Sequence, residues 1–158
     1  MMSSDVGVLF SVPISDLGPS IPISVPVGTS LGNAVAKMQD HRIGCLLITS
    51  DEKLVGVLSE RDFLLKVIGK GVDIETAIVD DFMSKEPEVL GNHDAVAFAM
   101  NRMNLGGYRH VPLVDVDGRP VGMVSVKDIV NYVVDSFPEM VLNLPPTPRV
   151  FSVDREGA

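Results

Sequence analysis

The sequence predicts an α+β fold in which two copies of one β-α-β-β-α unit pack on each other. The first observation is an internal repeat, because "VGVLSERD" begins at Val55 and "VGMVSVKD" begins at Val121. The second is that helix-like and strand-like apolar spacings follow in the same order in both halves. The third is that 46% of the 158 residues are hydrophobic and 22% are charged, which suffices for a packed interior. A half of about 60 residues makes a poor core alone, so we expect the halves to pack together.

The first unit is predicted between residues 14 and 72. After a leading strand, its first helix begins at Thr29 or Ser30, and apolar residues recur at i, i+3, i+4 and i+7. These residues are Leu31, Ala34, Val35 and Met38. The runs "CLLIT" and "LVGVLS" predict two strands joined by a turn at "SDEK". A second helix is predicted to begin after Ser59, in "ERDFLLKVIG".

The second unit is predicted between residues 73 and 138 and repeats this order. Placing Ile14 on Val79 sets an offset of 65, at which the apolar helix positions recur and Asp94 is the helix-start residue. The recurring positions are Val96, Ala99, Met100 and Met103. After this helix the offset becomes 66, which predicts one extra residue near 106–107. The strands "HVPLVDV" and "PVGMVS" and the helix "VKDIVNYVVDSF" complete the unit.

The charge balance argues against a polyanionic partner. The chain has 13 basic and 21 acidic residues, a net charge of −8, and no cluster of Lys and Arg. Such a surface repels nucleic acid polymers and anionic membranes. No apolar run approaches the length that spans a bilayer. Together with the acidic charge, this predicts neither a nucleic acid partner nor a membrane partner.

The two ends of the chain and its single cysteine predict a cytoplasmic protein. The extension at 1–13 lacks a basic stretch followed by an apolar one, so we expect no secretory signal. The tail at 139–158 has three prolines within four positions and is predicted to be extended. Cys45 has no partner for an intramolecular disulfide, as is typical of a reducing compartment. His41 stands four residues before Cys45, but no further ligand stands nearby, so we predict no metal site.

The repeated Gly-Ser-Asp pattern has two interpretations. Ser followed three residues later by Asp, just before an apolar helix, is typical of a capping box, and the pairs are Ser59–Asp62 and Ser125–Asp128. The same groups at a helix N-terminus also suit a phosphate and the two hydroxyls of a ribose, with the preceding glycine leaving room for a flat base. The two interpretations are compatible, and the spacing leaves both open.

The stretch from about Ile14 to Phe137 resembles a tandem pair of cystathionine-β-synthase (CBS) domains, a Bateman module. "VGVLSERD" and "VGMVSVKD" resemble the family's Gly-x-x-Ser/Thr-x-x-Asp motif, and "YRHVPLVD" resembles the start of its second strand. "SERDFLLKVIGKG" and "FPEMVLNLPP" look like small stand-alone bacterial members. The resemblance implies two domains related by pseudo-two-fold symmetry. It also implies a homodimer that senses a ligand and regulates an unknown partner protein without being an enzyme.

An adenosine ligand between the domains is a further implication of the resemblance, with no required cofactor. The acidic net charge favours AMP over ATP, while NAD and S-adenosylmethionine stay open. Carried over by position, the ligand-binding residues are Ser59, Arg61, Asp62, Arg109, His110, Pro112, Ser125, Lys127 and Asp128. The aspartates would hold ribose hydroxyls, the serines would hold phosphate, and the basic residues would add charge toward phosphate.

The two candidate sites are expected to be unequal. At an offset of 66, Arg109 and His110 stand opposite Ile43 and Gly44, which offer no side-chain hydrogen bond. We therefore predict one stronger nucleotide site per chain, without assigning which aspartate anchors the ligand. The alternative is a structural dimerisation module whose sites are degenerate or empty.

Overall fold

The computed structural model describes residues 7–8 and 10–139, and it has the predicted α+β architecture. The tail beyond residue 139 and most of the 1–13 extension lie outside the described residues. The first repeat contains β1 (Ser24–Pro26), α1 (Leu31–His41), β2 (Cys45–Ser50) and β3 (Lys53–Ser59). Its second helix, α2, is α-helical over Glu60–Asp62 and continues as a π-turn over Phe63–Val67. The prediction that this helix begins after Ser59 is confirmed, but the regular helix expected there is replaced by the π-turn.

The second repeat has the same order with a reduced first strand. Its elements are α3 (Val96–Gly106), β5 (His110–Val114), β6 (Pro120–Ser125) and α4 (Val126–Ser136), and they follow β4 (Ser84–Lys85) in the connection between the repeats. The leading strand predicted for this repeat is reduced to one parallel bridge between Leu90 and Leu113. No helix in the described part of the chain is long and apolar enough to cross a membrane.

Each repeat completes its sheet with a segment that precedes the other repeat's core. β1 pairs in parallel with β2, β2 pairs antiparallel with β3, and β3 pairs antiparallel with β4, which comes from the connection between the repeats. In the second repeat, β6 is bridged by Ser20, which exchanges two backbone hydrogen bonds of 3.0 Å with Met123. The chain between Ser20 and β1 therefore crosses from one sheet to the other.

The same exchange appears in the two apolar cores. The first core joins α1 to β2 and β3, and it includes Val79 from a 3-10 helix at Val79–Asp81. The second core joins α3 and α4 to β5 and β6, and it includes Ile14 from a 3-10 helix at Ile14–Leu17. Both residues are fully buried, and burial of such a side chain stabilises the fold by about 1.5–3 kcal/mol. The halves are thus interlocked through the residues that begin each repeat.

The starts of the two first helices differ. Ser30 caps α1, because its hydroxyl oxygen accepts from the Asn33 N–H at 3.2 Å. The prediction that Asp94 caps α3 is wrong, since the cap residue is Ala95. The Asp94 carboxylate instead accepts from the Gly91 N–H at 2.7 Å and tightens the preceding turn.

The extra residue of the second repeat lies in a hairpin turn, not near residues 106–107 as predicted. Cys45 pairs with Ser59, and His110 pairs with Ser125, so β2 and β5 still match at an offset of 65. The first hairpin turns through two residues in left-handed conformation at positions 51–52. The second turn is longer and is held by Asp115. The counterpart of His110 is therefore Cys45, and that of Arg109 is Gly44.

Candidate functional site

Both Ser–Asp pairs form capping boxes at the start of the second helix of their repeat. In the first, Oδ2 of Asp62 accepts from the Ser59 N–H at 2.8 Å and from its hydroxyl at 2.7 Å, and Oγ of Ser59 accepts from the Asp62 N–H at 3.3 Å. The corresponding distances for Ser125 and Asp128 are 2.7, 2.8 and 3.2 Å. The predicted capping role is confirmed for both pairs. It uses only one carboxylate oxygen in each.

The second oxygen of Asp62 is taken by a cation from the same helix. Nζ of Lys66 lies 2.8 Å from Oδ1 of Asp62 and also donates to the carbonyl oxygen of Phe82 at 2.7 Å. Asp62 is only 9% exposed. Burial raises the pKa of its carboxyl, but the hydrogen bonds from Lys66 and Ser59 and the charge of Lys66 outweigh burial, so the pKa lies below its ordinary value. Both oxygens of this carboxylate are thereby engaged inside the first repeat.

The second carboxylate oxygen of Asp128, Oδ1, is not paired with a cation among the described residues. The residue four positions later is Tyr132, which brings no cation. Within the described ranges, no residue donates a hydrogen bond to Oδ1 of Asp128, and no cation lies within salt-bridge distance. Asp128 is half-buried and lines a cleft between the repeats. A carboxylate oxygen in such a position is a ready acceptor for a pair of hydroxyls.

The cleft has a volume of about 220 Å³ and takes its walls from both repeats. Its apolar wall comes from the crossing segment, the end of α1 and β6, and consists of Ile21, Ile23, Ile43 and Met123. Its polar wall comprises Ser20, Arg42, Cys45, His110, Ser125 and Asp128. The exchange of segments explains this composition, since Ser20 is bridged to β6 while the next residues lead to β1.

The titratable groups of the cleft are arranged to keep it only weakly charged. Burial and the charge of Arg109 lower the pKa of His110 and outweigh the opposing effect of Glu60 and Asp128, so the imidazole is neutral at neutral pH. Burial, with Asp62 and Glu60, raises the pKa of Cys45 to about 12. Its thiol stays protonated and is no nucleophile. Arg42, the left-handed residue that ends α1, is the fixed cation among the lining residues.

Comparison with known proteins places this geometry in a family. The model of the CBS domain matches residues 14–69 and 79–135, which are the two repeats. The chain belongs to the CBS-domain family. The prediction of a tandem CBS pair is confirmed.

Solved CBS structures share the fold of this CBS pair. It is similar to the CBS-domain protein ATU1752 of Agrobacterium tumefaciens, with 28% identity, a TM-score of 0.68, and coverage of 75% of this chain and 97% of that one. It is also similar to CBS domain protein PAE2072 of Pyrobaculum aerophilum, which was solved complexed with AMP. That match has 25% identity and a TM-score of 0.68, and it covers 74% of this chain and 89% of the other.

Among curated proteins, the CBS pair is similar to CBSCBSPB3 of Arabidopsis thaliana, with 28% identity over 115 residues. The match covers 73% of this chain and 19% of the plant protein, so the chain spans about a fifth of the length of that relative.

The other predicted ligand-binding residues of this CBS pair are dispersed. Arg61 and Lys127 are exposed on the first turns of α2 and α4, and neither is among the residues that line the cleft. Pro112 is buried in the middle of β5, where its carbonyl oxygen accepts from the Leu90 N–H at 3.1 Å. Arg109 extends across to the first repeat and pairs with Glu60 at 2.6 Å. Of the two residues before Val111, only His110 lines the cleft.

The glycines of the repeated motif make room for the crossing segments rather than for a base. A Cβ on Gly56 would collide with the Met83 side chain and lie 3.2 Å from the carbonyl oxygen of Ser84, the first residue of β4. A Cβ on Gly122 would lie 3.1 Å from Leu113 and 3.6 Å from Pro19. The predicted access for a flat ring at these glycines is therefore wrong.

Sequence analysis missed the cleft residues that come from the first repeat and the crossing segment. Alignment at an offset of 66 placed Ile43 and Gly44, rather than Cys45, opposite the residues expected to bind ligand. The apolar run "PSIPISV" before β1 was a usable signal, because it contains Ile21 and Ile23 outside any predicted helix. Lys66, four residues after Asp62, was another, since such a pair faces one side of a helix.

Proposed function

We propose that this CBS pair binds one adenosine nucleotide in the Asp128 cleft and acts as a regulatory module rather than an enzyme. The observation that carries the proposal is the contrast between the two aspartates. Asp128 lines a cleft and its Oδ1 has no donor among the described residues, while Oδ1 of Asp62 is held by Lys66 at 2.8 Å. Asp128 is therefore the residue that we assign to the ribose hydroxyls.

The walls of the cleft suit the three parts of a nucleotide. Ile21, Ile23, Ile43 and Met123 offer an apolar slot for adenine. Ser125 stands at the N-terminus of α4, where the helix dipole favours a phosphate. His110 adds a second polar group on that wall. These placements keep the resemblance-based roles of Ser125, Asp128 and His110.

AMP is the ligand that we favour. The cleft volume of about 220 Å³ is below the range of about 300–1,000 Å³ common for ligand pockets, which favours the smallest adenosine ligand over NAD or S-adenosylmethionine. Arg42 is the one fixed cation among the lining residues, so a monophosphate is better matched than a triphosphate. The relative PAE2072 was solved complexed with AMP, which supports the same choice. Arg109 would reach the phosphate only by leaving Glu60.

A thermal-shift panel tests the proposal. The chain is heated with AMP, ADP, ATP, NAD⁺ and S-adenosylmethionine, in wild type and in the matched variants Asp128→Asn and Asp62→Asn. A ligand at about 100 times its Kd stabilises the fold by about 2.7 kcal/mol, which raises Tm by several degrees. Loss of the charge-assisted hydrogen bonds to ribose weakens binding by about 1.5–3 kcal/mol in Asp128→Asn.

Asp62→Asn serves as the control because both substitutions weaken a capping box. We expect Asp62→Asn to keep the AMP-dependent shift and Asp128→Asn to lose it. Equal shifts in both variants would contradict the assignment of ribose to Asp128.

We further propose that two copies of the chain pair through their second helices in the cytoplasm and relay ligand binding to a partner protein. Leu64 and Leu65 on α2 are 62% and 57% exposed, Ile68 directly after α2 is 64% exposed, and Val130 on α4 is 52% exposed. Apolar side chains exposed in such a group are typical of an interface. Sedimentation of wild type and Leu65→Glu measures this, and an unchanged mass in the variant would contradict pairing through α2.

A ligand-free dimerisation module is the second candidate. It is favoured by the capping boxes, which by themselves account for both Ser–Asp pairs. This candidate predicts a dimer whose Tm responds to none of the adenosine compounds.

A further inference from the structure

Lys66 connects the second helix of the first repeat to the segment that leads into β4. Its ammonium lies 2.8 Å from Oδ1 of Asp62 and 2.7 Å from the carbonyl oxygen of Phe82. Two of its three N–H donors are thus used within the chain. The segment after Phe82 is the counterpart of the crossing segment that forms one wall of the Asp128 cleft, because β4 pairs with β3 as Ser20 bridges β6.

Among the described residues, the second repeat shows no such contact. At the offset of its second helix, Lys66 corresponds to Tyr132, and at the offset of the first elements Phe82 corresponds to Leu17. There, α4 packs against the 3-10 helix at Ile14–Leu17, and its aspartate keeps a carboxylate oxygen without a donor among the described residues. The capping boxes themselves are the same in both repeats, so Lys66 is a chemical difference between the two aspartates.

We propose that Lys66 acts as an internal ligand of Asp62 that excludes nucleotides from the first repeat, so that the chain binds one nucleotide instead of two. The inference rests on the proposed function of the Asp128 cleft. A ribose would have to bind at Oδ1, the oxygen that Lys66 already holds at 2.8 Å. A nucleotide at Asp62 would have to displace the ammonium from the carboxylate and from the Phe82 carbonyl at the same time.

The surroundings of Asp62 strengthen this exclusion. Asp62 is 9% exposed, while Asp128 is half-buried at the cleft. The net lowering of the Asp62 pKa keeps its carboxyl ionised, and therefore paired with Lys66, across the physiological pH range. The ammonium thus takes the part that ligand hydroxyls are proposed to play in the second repeat.

Isothermal titration of the full chain with AMP measures the number of sites. We expect about one AMP per chain in wild type and about two in Lys66→Met, which keeps the aliphatic stem and removes the charge. The double variant Lys66→Met/Asp62→Asn returns to one. Lys70→Met is the matched control, because Lys70 is exposed on the segment after α2 and forms no salt bridge with a described residue.

A reciprocal variant tests the same idea in the second repeat. Tyr132→Lys places an ammonium four residues after Asp128, in the relation that Lys66 has to Asp62. We expect it to weaken AMP binding by at least about tenfold. Circular dichroism and a cooperative melt establish that each variant is folded, and this reciprocal variant keeps the test decisive if Lys66→Met does not fold.

The outcomes separate the inference from the proposed function. Two sites in wild type, or one site in a folded Lys66→Met with unchanged affinity in Tyr132→Lys, would overturn the role of Lys66 and leave the Asp128 cleft intact. Binding that appears only in Lys66→Met would support the role of Lys66 and contradict the Asp128 proposal. Absence of AMP binding in every variant would overturn both.

Discussion

The Ser59–Asp62 and Ser125–Asp128 pairs have the same local geometry and different surroundings. Their three capping distances agree within 0.1 Å. In the first pair, however, Asp62 forms an ion pair with Lys66, whereas Ser125 and Asp128 of the second pair line a cleft formed by both repeats. A cap is fixed by a four-residue motif, whereas the availability of its carboxylate depends on the next helical turn. The repeated Ser-x-x-Asp motif therefore predicts two helix caps, but it does not predict two ligand-binding sites.

The cores of the two repeats also depend on each other through the segments that join them. Each repeat borrows a buried residue from the chain that precedes the other, with Val79 in the first core and Ile14 in the second. A change in one cleft wall is thus coupled to the core of the opposite repeat. We therefore expect a ligand held between the repeats to stabilise both cores.

The largest expected effect comes from breaking this exchange. Ile14→Ala removes a fully buried side chain and should destabilise the fold by about 2–5 kcal/mol, and Val79→Ala somewhat less because valine is smaller. Hydrogen exchange should accelerate first in β5 and β6 for Ile14→Ala, and in β2 and β3 for Val79→Ala. The reverse pattern would contradict the exchanged cores.

Acidification should remove the contribution of the Asp62–Lys66 ion pair to stability. The Asp62 pKa is lowered on folding, so its contribution is fully present above the ordinary value of 3.8 and is lost as pH falls through the lower folded value. Lys66→Met should cost about 1 kcal/mol or less at neutral pH, since the Lys66 side chain is 41% exposed. Urea unfolding should show this difference vanish in strong acid, and a constant difference would contradict the ion pair.

The cleft should also respond near neutral pH through His110. Its folded pKa lies below the ordinary 6.5, so the unfolded chain binds more protons between the two values and stability falls as pH drops from about 6.5. Burial lowers the His110 pKa most, Arg109 lowers it further, and Glu60 and Asp128 oppose both effects. Unfolding of His110→Gln should lose this part of the pH slope, while His93→Gln, an exposed control, should keep it.

The smallest expected loss of stability comes from breaking the Arg109–Glu60 ion pair, which has no equivalent at the corresponding positions of the two repeats. Arg109 and Glu60 are 71% and 61% exposed, and their counterparts Gly44 and Val126 form no such pair. Arg109→Ala should cost about 0.5 kcal/mol or less. A loss above about 1.5 kcal/mol in urea unfolding would show that this contact, and not only the exchanged segments, holds the repeats together.

Local features of the chain were predictable and non-local ones were not. The helices α1, α3 and α4, the strand pairs and both capping boxes follow from apolar period and short spacings, which act within one or two turns. The cap at Asp94 failed because its carboxylate found a nearer donor at Gly91, 2.7 Å away. The π-turn after Asp62 likewise has no spacing that distinguishes it from a regular helix.

The candidate site was predictable only in part. Ser125, Asp128 and His110 were named in advance and line the cleft. The walls at residues 20–23 and 42–45 depend on chain crossing and on where the repeat gains its extra residue. Two adjacent glycines suggested an insertion after α3, but the strand register places it in the hairpin. Only the pairing of strands reveals that Cys45 stands opposite His110.

A crystal structure of the chain grown with saturating AMP would show directly whether the nucleotide binds at Asp128 or at Asp62. We expect one AMP per chain in the cleft, with its ribose hydroxyls on Oδ1 of Asp128 and the Lys66–Asp62 ion pair intact. An AMP bound at Asp62, or one in the cleft with its ribose away from Asp128, would contradict it.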